Sequence, residues 1–596
     1  MHPMNRPTVL LSGLLALNAP ALAQETQPDP LPSVMVPVAV DSGEIRTAAG
    51  RARSLFTREI VAPGAEWVRL WFEAASLPAG SYLVITSTED GAWQRLDAES
   101  VEQWGMSSAY FNGDAVTIEL FGGFGDGVHR VAVSEVMAGL PSADPRSVCG
   151  STDDRVLSYD TRVGRLSNGC TGWLIDHGGS ANRFLTAGHC ISSGTTGSVM
   201  FFNVPLSSSN GNFRPPAPEY QYPVQNGSIQ SVNGGVGNDF ATFQTHANSN
   251  TGLSPMAAQG GAFVLAADAP PASQQAVRVT GYGLRDSGAP IPWEWNRTQK
   301  THTGPLTTST VTTLRYRPDT TGGNSGSPVI LESTGEAIGI HTHGGCGSTG
   351  GSNAGTSIEH NNLRIFLDNP QGTSIPQAAL ERVETVFEGG LPGAAEGAAY
   401  FDATAGSAVR VRAMELNVDA PASTEFVVRV FVTPGSAAGA LGDITRWSFA
   451  GEGWGLATGE GGRTRVVLAE SFALPAGATT GLAVVLDNAA HSVTPTDGPV
   501  ETFGGGGVTL TAGWAADRPF ESPWVGAIFN GSLLFEFEPG ACPADFNADG
   551  LLNFFDVSAF GLAFQGQDTA ADFNSDGLYN FFDFSAFLDA FNAGCP

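Results

Sequence analysis

The chain has 596 residues, too many for one hydrophobic core, so about three to five domains are expected. Its net charge is −29 and Lys300 is its only lysine, which excludes nucleic-acid and anionic-membrane binding, since both need basic patches. The 76 glycines, with many Val, Thr and Phe, predict β-rich domains joined by tight turns.

Residues 1–23 read as a secretory signal. Arg6 precedes an apolar run from Val9 to Leu17, and Ala21-Leu22-Ala23 offers small residues for cleavage before Gln24. The run is too short to span a bilayer, and no other stretch is long enough. A secreted or cell-surface protein is therefore expected, with no membrane span once the signal is removed. Residues 24–44 are Pro-rich and read as a disordered leader. From 45 to 140, segments such as Trp67-Val68-Arg69-Leu70-Trp71-Phe72 and Tyr82-Leu83-Val84-Ile85, broken by glycines, predict a β-sandwich. A pro-domain, a folding aid and an accessory module are the alternatives for it. Residues 141–146, Pro-Ser-Ala-Asp-Pro-Arg, form a linker that a cut near Arg146 would open.

Two strings follow that carry chemistry. The first is Thr186-Ala187-Gly188-His189-Cys190 and the second is Gly323-Asn324-Ser325-Gly326-Ser327-Pro328. Either alone also fits a structural histidine or an ordinary turn. Between them, 50 residues after His189, lies Asp239 in Gly237-Asn238-Asp239-Phe240-Ala241. A serine hydroxyl is a poor nucleophile at neutral pH and needs a base within reach and a third group to orient that base.

In order and composition these strings resemble the chymotrypsin-like serine peptidases. The resemblance implies two six-stranded antiparallel barrels over 147–373, with the site in the cleft between them. It implies Ser325 as nucleophile, His189 as base and Asp239 as the group that fixes the imidazole tautomer. The backbone N–H groups of Gly323 and Ser325 become the oxyanion hole, and Gly322, Gly323 and Gly326 permit the tight turn. Trypsin-type zymogens carry an Asp just before the serine to pair with a new N-terminus; Asn324 stands there, so that ionic switch is absent.

Six cysteines in an exported chain suggest disulfides, with 15 pairings open to sequence. The resemblance pairs Cys170 with Cys190 behind the histidine, and Cys149 with Cys346 as in lysyl endopeptidases. Cys542 and Cys595 bracket the last domain and clasp its ends. For specificity, Asp319-Thr320-Thr321-Gly322-Gly323 and Gly339-Ile340-His341-Thr342 resemble glutamyl endopeptidases, in which the positions of Thr320 and His341 help bind a P1 carboxylate. Asp319, six residues before Ser325, holds the register of the basic-P1 aspartate of trypsin-like enzymes, so the two signals conflict. His343 resembles a pocket-wall histidine of lysyl endopeptidases. The His-Thr string favours acidic P1.

Residues 376–540 read as a second β-sandwich, a spacer or binding module. Trp447, Trp454 and Trp514 suit core packing better than sugar stacking. Residues 541–596 hold a repeat at a spacing of 27 residues: Asp545, Asn547, Asp549, Leu551, Asn553 and Asp556, then Asp572, Asn574, Asp576, Leu578, Asn580 and Asp583. Oxygen ligands at positions 1, 3, 5, 7, 9 and 12, with glycine at 6, suit Ca²⁺. The pair resembles a dockerin, which implies a calcium-folded helical module and a cohesin-like or cell-surface partner. Each copy carries a Phe pair, Phe554-Phe555 and Phe581-Phe582.

The sequence is thus expected to be mainly β, a chymotrypsin-like double β-barrel flanked by β-sandwich domains, with a small helical dockerin-like module. The expected activity is cleavage of protein or peptide substrates through an acyl-enzyme, with no cofactor for catalysis and Ca²⁺ in the C-terminal module. The rival reading is a calcium-dependent adhesion or scaffold protein whose peptidase-like domain is silent.

Overall fold

In a computed structural model the described residues are 24–25, 30–47, 53–122, 127–141, 148–149, 152–177, 182–272, 275–285, 291–347, 350–372, 380–387, 391–395, 397–496, 498, 500–538, 544, 546, 554–566, 571, 573 and 579–593. The expected signal over 1–23, residues 142–146 of the expected linker, Cys542, Cys595 and most of the expected calcium ligands lie outside them.

Two barrels occupy the middle of the chain. The first is built from β1 (Val163–Leu166), β2 (Thr171–Asp176), β3 (Arg183–Thr186), β4 (Val199–Phe201), β5 (Gln221–Pro223), β6 (Gln230–Asn233) and β7 (Asp239–Gln244). Its order is β5-β4-β1-β2-β3-β7-β6. A bridge from Val224 to Thr245 joins the ends of β5 and β7 and closes the ring. Every residue of β7 is buried, its polar Asp239, Thr242 and Gln244 as well as its apolar Phe240, Ala241 and Phe243. Phe184 and Phe243 stack inside with centroids 5.0 Å apart.

The second barrel comprises β8 (Ala276–Gly281), β9 (Lys300–Ser309), β10 (Thr313–Tyr316), β11 (Pro328–Leu331), β12 (Ala337–Gly344) and β13 (Asn353–Ser357). The order β12-β11-β8-β9-β10-β13 closes through direct pairing of β12 with β13. Val277, Val279, Leu314, Val329 and Ile338 fill it. Helix α1 (Asn361–Asp368) follows and buries Leu363 and Leu367.

A sandwich of two antiparallel sheets precedes the barrels. One contains Ser33–Asp41, Gly127–Gly139 and Trp67–Ser76; the other contains Arg53–Val61, Ala115–Gly122 and Tyr82–Ser87. The expectation of a disordered leader over 24–44 is corrected here. Residues Ser33–Asp41 pair along Gly127–Gly139, and Val36, Val38 and Val40 pack on the core. That alternation is a strand signal which the surrounding prolines obscure. Tyr110 meets Phe201 of β4 edge-on, with centroids 5.1 Å apart, and exchanges two hydrogen bonds with Gln221.

A second sandwich follows the barrels, with Val409–Asp419 central in one sheet and Ala398–Ala405 in the other. It docks on the first barrel through Tyr220, whose hydroxyl donates to Trp454 O (2.7 Å) and accepts from Val467 N (3.1 Å). Trp447 is buried and donates to Ala440 O; Trp454 and Trp514 pack against apolar clusters. The C-terminal segment contains α2 (Phe554–Gly566) and α3 (Phe581–Ala593), with Phe560 stacked on Phe587 at 4.1 Å. Among the described residues, no helix is long and apolar enough to cross a membrane.

Candidate active site

His189 sits in a single 3₁₀ turn, Gly188–Cys190, at the end of β3. The turn is pressed onto β6 and β7: a Cβ on Gly188 would lie 1.9 Å from Val232 O, so only glycine fits. Cys170–Cys190 ties the turn to the start of β2. Asp239 opens β7 with its side chain fully buried. Its Oδ2 lies 2.6 Å from His189 Nδ1, and its Oδ1 accepts from His189 N at 3.0 Å. The carboxylate therefore grips both ring and main chain. Thr356 of β13 clamps Asp239 from the other barrel, its hydroxyl accepting from Asp239 N (3.1 Å) and donating to Asp239 O (2.8 Å).

The Ser325 turn lies between β10 and β11. Ser325 O accepts from Thr171 N of β2, Gly326 N donates to His341 O of β12, and Trp173 Nε1 donates to Gly326 O. Gly326 has φ +89°, and a Cβ there would lie 2.1 Å from Thr171 O and 2.2 Å from Thr186 Oγ1. This close approach brings the serine turn against Thr186 and Ala187, the residues that lead into His189. Gly323 has φ +91°, with Tyr282 O 2.7 Å from its missing Cβ. Both positions need the left-handed backbone that glycine adopts without strain.

The residues expected to read the substrate separate. Asp319 Oδ1 accepts from Cys149 N (2.8 Å), its Oδ2 accepts from Asp154 N (3.0 Å), and His302 Nδ1 lies 3.3 Å away. The expectation that Asp319 binds substrate is corrected: its buried carboxylate is committed to the chain's own amides. It tethers the segment leading into the barrels, beside the Cys149–Cys346 disulfide. Thr320 is fully buried, and among the described residues its Oγ1 has no hydrogen-bond partner. His341 is also fully buried, with Nδ1 2.8 Å from Tyr316 Oη. Burial, and then the neighbouring His343 and His189, push His341 down to about 3, so its ring is neutral. Burial holds the Tyr316 phenol well above its ordinary value, so its hydroxyl keeps its proton. His343 Nδ1 contacts Thr342 Oγ1 at 2.7 Å.

One further contact marks the site. The strand Gln24–Glu25 lies antiparallel on β12, with Gln24 opposite Gly344 and Glu25 opposite His343. This edge accepts an extended chain by main-chain pairing, one of the general modes of peptide recognition. Thr356, Tyr316 and the leader strand were not singled out by sequence reasoning. Each acts across 25 or more residues of chain, with no local spacing to reveal it.

The trypsin-like peptidase domain family matches residues 170–340. Over those residues the chain is similar to a trypsin-like peptidase domain. The glutamyl endopeptidase of Bacillus licheniformis is 28% identical over 233 residues, covering 36% of this chain and 66% of that relative, just under two thirds of its length. Among solved structures, a Glu endopeptidase in complex with MPD is similar at 20% identity and a TM-score of 0.27, covering 37% of this chain and 98% of its own. The thermostable serine protease AL20 from an extremophilic microorganism is similar at 16% identity and a TM-score of 0.27, covering 35% and 96%.

Proposed function

We propose that this chain is a secreted serine endopeptidase that cleaves after acidic residues and is tethered through a calcium-binding C-terminal module. The observation that carries the reading is the junction of the two barrels. The His189–Asp239 pair, 2.6 Å apart, stands on the first, and the glycine-collared Ser325 turn packs against the histidine strand from the second.

In this mechanism Ser325 Oγ attacks the scissile carbonyl carbon while His189 takes the hydroxyl proton. Asp239 holds the imidazole in the tautomer whose Nε2 accepts, and stabilises the imidazolium. The N–H groups of Gly323 and Ser325 receive the developing oxyanion. His189 then gives its proton to the leaving amine, and water repeats the cycle on the acyl-enzyme. The β12 edge pairs with the extended substrate, as it pairs with Gln24–Glu25.

Two observations support acidic P1. Tyr316 Oη lies 2.8 Å from His341 Nδ1; with the hydroxyl as donor, the neutral imidazole carries its proton on Nε2, a donor suited to a carboxylate. Thr320 Oγ1, buried without a partner among the described residues, costs about 1–3 kcal/mol in that state, and a substrate carboxylate supplies the missing partner. Basic P1 loses its main support because Asp319 is occupied.

For the C-terminal module, Asp556 and Asp583 are fully buried, in a segment, 541–596, that has no Lys, Arg or His. Asp583 Oδ2 accepts from Asn580 N at 2.8 Å, and the repeated ligand spacing suits calcium. Phe581, 75% exposed, supports a docking face for a cohesin-like or cell-surface partner.

The test is labelling of the purified chain with a fluorophosphonate, followed by peptide mapping. The adduct is expected on Ser325 in wild type and lost in Asp239→Ala. Labelling elsewhere, or none, overturns the reading.

A further inference from the structure

Beneath the serine turn lies a buried ion pair that the catalytic steps above do not use. Arg155 and Asp153 side chains are each 1% exposed and meet through two hydrogen bonds, Nε to Oδ1 at 2.8 Å and Nη2 to Oδ2 at 2.6 Å. Burial alone pushes the Asp153 carboxyl up, but the Arg155 hydrogen bonds and charge outweigh it and hold it below its ordinary value. The remaining Arg155 donors point to one place. Nη2 donates to Leu284 O at 2.7 Å, and Nη1 donates to Thr321 Oγ1 at 2.8 Å and to Asn324 Oδ1 at 3.3 Å. Asn324 is the residue before Ser325. Its Oδ1 also accepts from Thr321 N, and its own N–H donates to Thr321 O. The segment 321–324 is thus a closed turn with a guanidinium seated in it.

The packing around this seat leaves no slack. A Cβ on Gly283 would lie 2.0 Å from Asn324 Oδ1, 2.5 Å from Thr321 Oγ1 and 2.6 Å from Arg155 Nη1. Gly283 is itself held by the sole lysine: Lys300 Nζ donates to Gly283 O (2.7 Å), Trp295 O (2.6 Å) and Thr298 O (3.0 Å). A buried ion pair is a poor way to gain stability, since apolar residues of equal volume often serve as well. What it supplies is directed donors in a fixed fork, and here the fork fixes the turn that carries Gly323 and Ser325.

We propose that Arg155, oriented by Asp153, is the positioning residue of the oxyanion loop, and that it sets this loop in the uncut chain. The inference rests on the serine peptidase reading. Arg155 lies inside the chain, and the Cys149–Cys346 disulfide and the Asp319 tether fix the segment before it. No newly freed N-terminus is required to shape the site, and the neutral Asn324 asks for none.

The test uses the full chain and four variants: Arg155→Met, Arg155→Lys, Asn324→Ala and Arg146→Gln. Both Arg155→Met and Asn324→Ala are expected to lower kcat by about 10- to 100-fold with KM within about twofold, less than the 10²–10³ lost when an oxyanion donor itself is removed. Affinity for a peptide aldehyde, whose adduct carries the oxyanion, falls by the same factor. Binding of the product peptide does not change. Lysine at 155 does not restore the rate, because an ammonium cannot reproduce the fork. Arg146→Gln, confirmed uncut by intact mass, reacts with fluorophosphonate as fast as wild type. If Arg155→Met fails to fold, Asn324→Ala keeps the ion pair and reads the same loop. Unchanged kcat in Asn324→Ala, or equal losses in aldehyde and product binding, overturns the proposal. So does a reaction confined to chains cut before Cys149. Hydrogen exchange at the 322–325 amides, faster in Arg155→Met than in wild type, reads the positioning independently of activity. A wild-type chain that never labels at Ser325 refutes the peptidase reading instead.

Discussion

Replacing Thr320 with valine is expected to move stability and catalysis in opposite directions. Thr320 is fully buried, and its hydroxyl has no partner among the described residues. Valine is close to isosteric, so the substitution removes an unsatisfied polar group and opens no cavity. That relieves about 1–3 kcal/mol of desolvation penalty, or about 2–12 °C in Tm for a domain of this size. Catalysis loses what the hydroxyl gives a P1 carboxylate. A hydrogen bond to a charged group is worth about 1.5–3 kcal/mol, which is about 10- to 150-fold in kcat/KM. With P1 glutamine the bond is neutral and the loss is about 2- to 13-fold. The assay compares matched P1 Glu and P1 Gln peptides in wild type and Thr320→Val, beside thermal melts of both proteins. A lower Tm, or equal losses on both substrates, refutes the assignment of Thr320 to the carboxylate.

Asp239→Asn is expected to keep the fold but lose about 10⁴ in kcat, because the amide favours the wrong imidazole tautomer; a loss under tenfold contradicts the role drawn from the 2.6 Å contact. Deleting residues 24–29 frees the β12 edge at His343 and Gly344, so KM for peptides falls several-fold at unchanged kcat, and an unchanged KM shows that the leader does not compete. Acid weakens the fold through His341. Its pKa in the folded chain is pushed down to about 3 from the ordinary 6.5, so between these values the unfolded chain binds the extra proton. The stability from its neutral burial is full above pH 6.5 and falls as pH drops toward 3, visible as a declining urea midpoint that flattens in His341→Leu. Removing calcium with EGTA is expected to speed hydrogen exchange throughout 554–593 and leave kcat/KM unchanged; no change in exchange argues against a metal in that segment.

What the sequence makes legible here follows from local chemistry. Gly188, Gly323 and Gly326 sit where a Cβ would strike backbone within 3 Å, so the glycine collars around His189 and Ser325 are written into short strings. The bridges Cys149–Cys346 and Cys170–Cys190 follow a family resemblance. Asp319 shows the limit of register: six residues before Ser325 is a pocket position by count, but two amides from a segment 165 and 170 residues away capture its carboxylate. Arg155 and Thr356 were invisible for the same reason, since their partners Asn324 and Asp239 lie 169 and 117 residues off. The strand Ser33–Asp41 was hidden because Pro32 and Pro37 masked a valine alternation that the sheet later uses.

The most direct test is digestion of a proteome-derived peptide library by the purified chain, beside Ser325→Ala, with cleavage sites read by mass spectrometry. The account predicts cleavage by wild type alone, concentrated after Glu and Asp. Cleavage after Arg or Lys contradicts the assignment of His341 and Thr320, and equal cleavage by Ser325→Ala, or none by either protein, contradicts the serine peptidase itself.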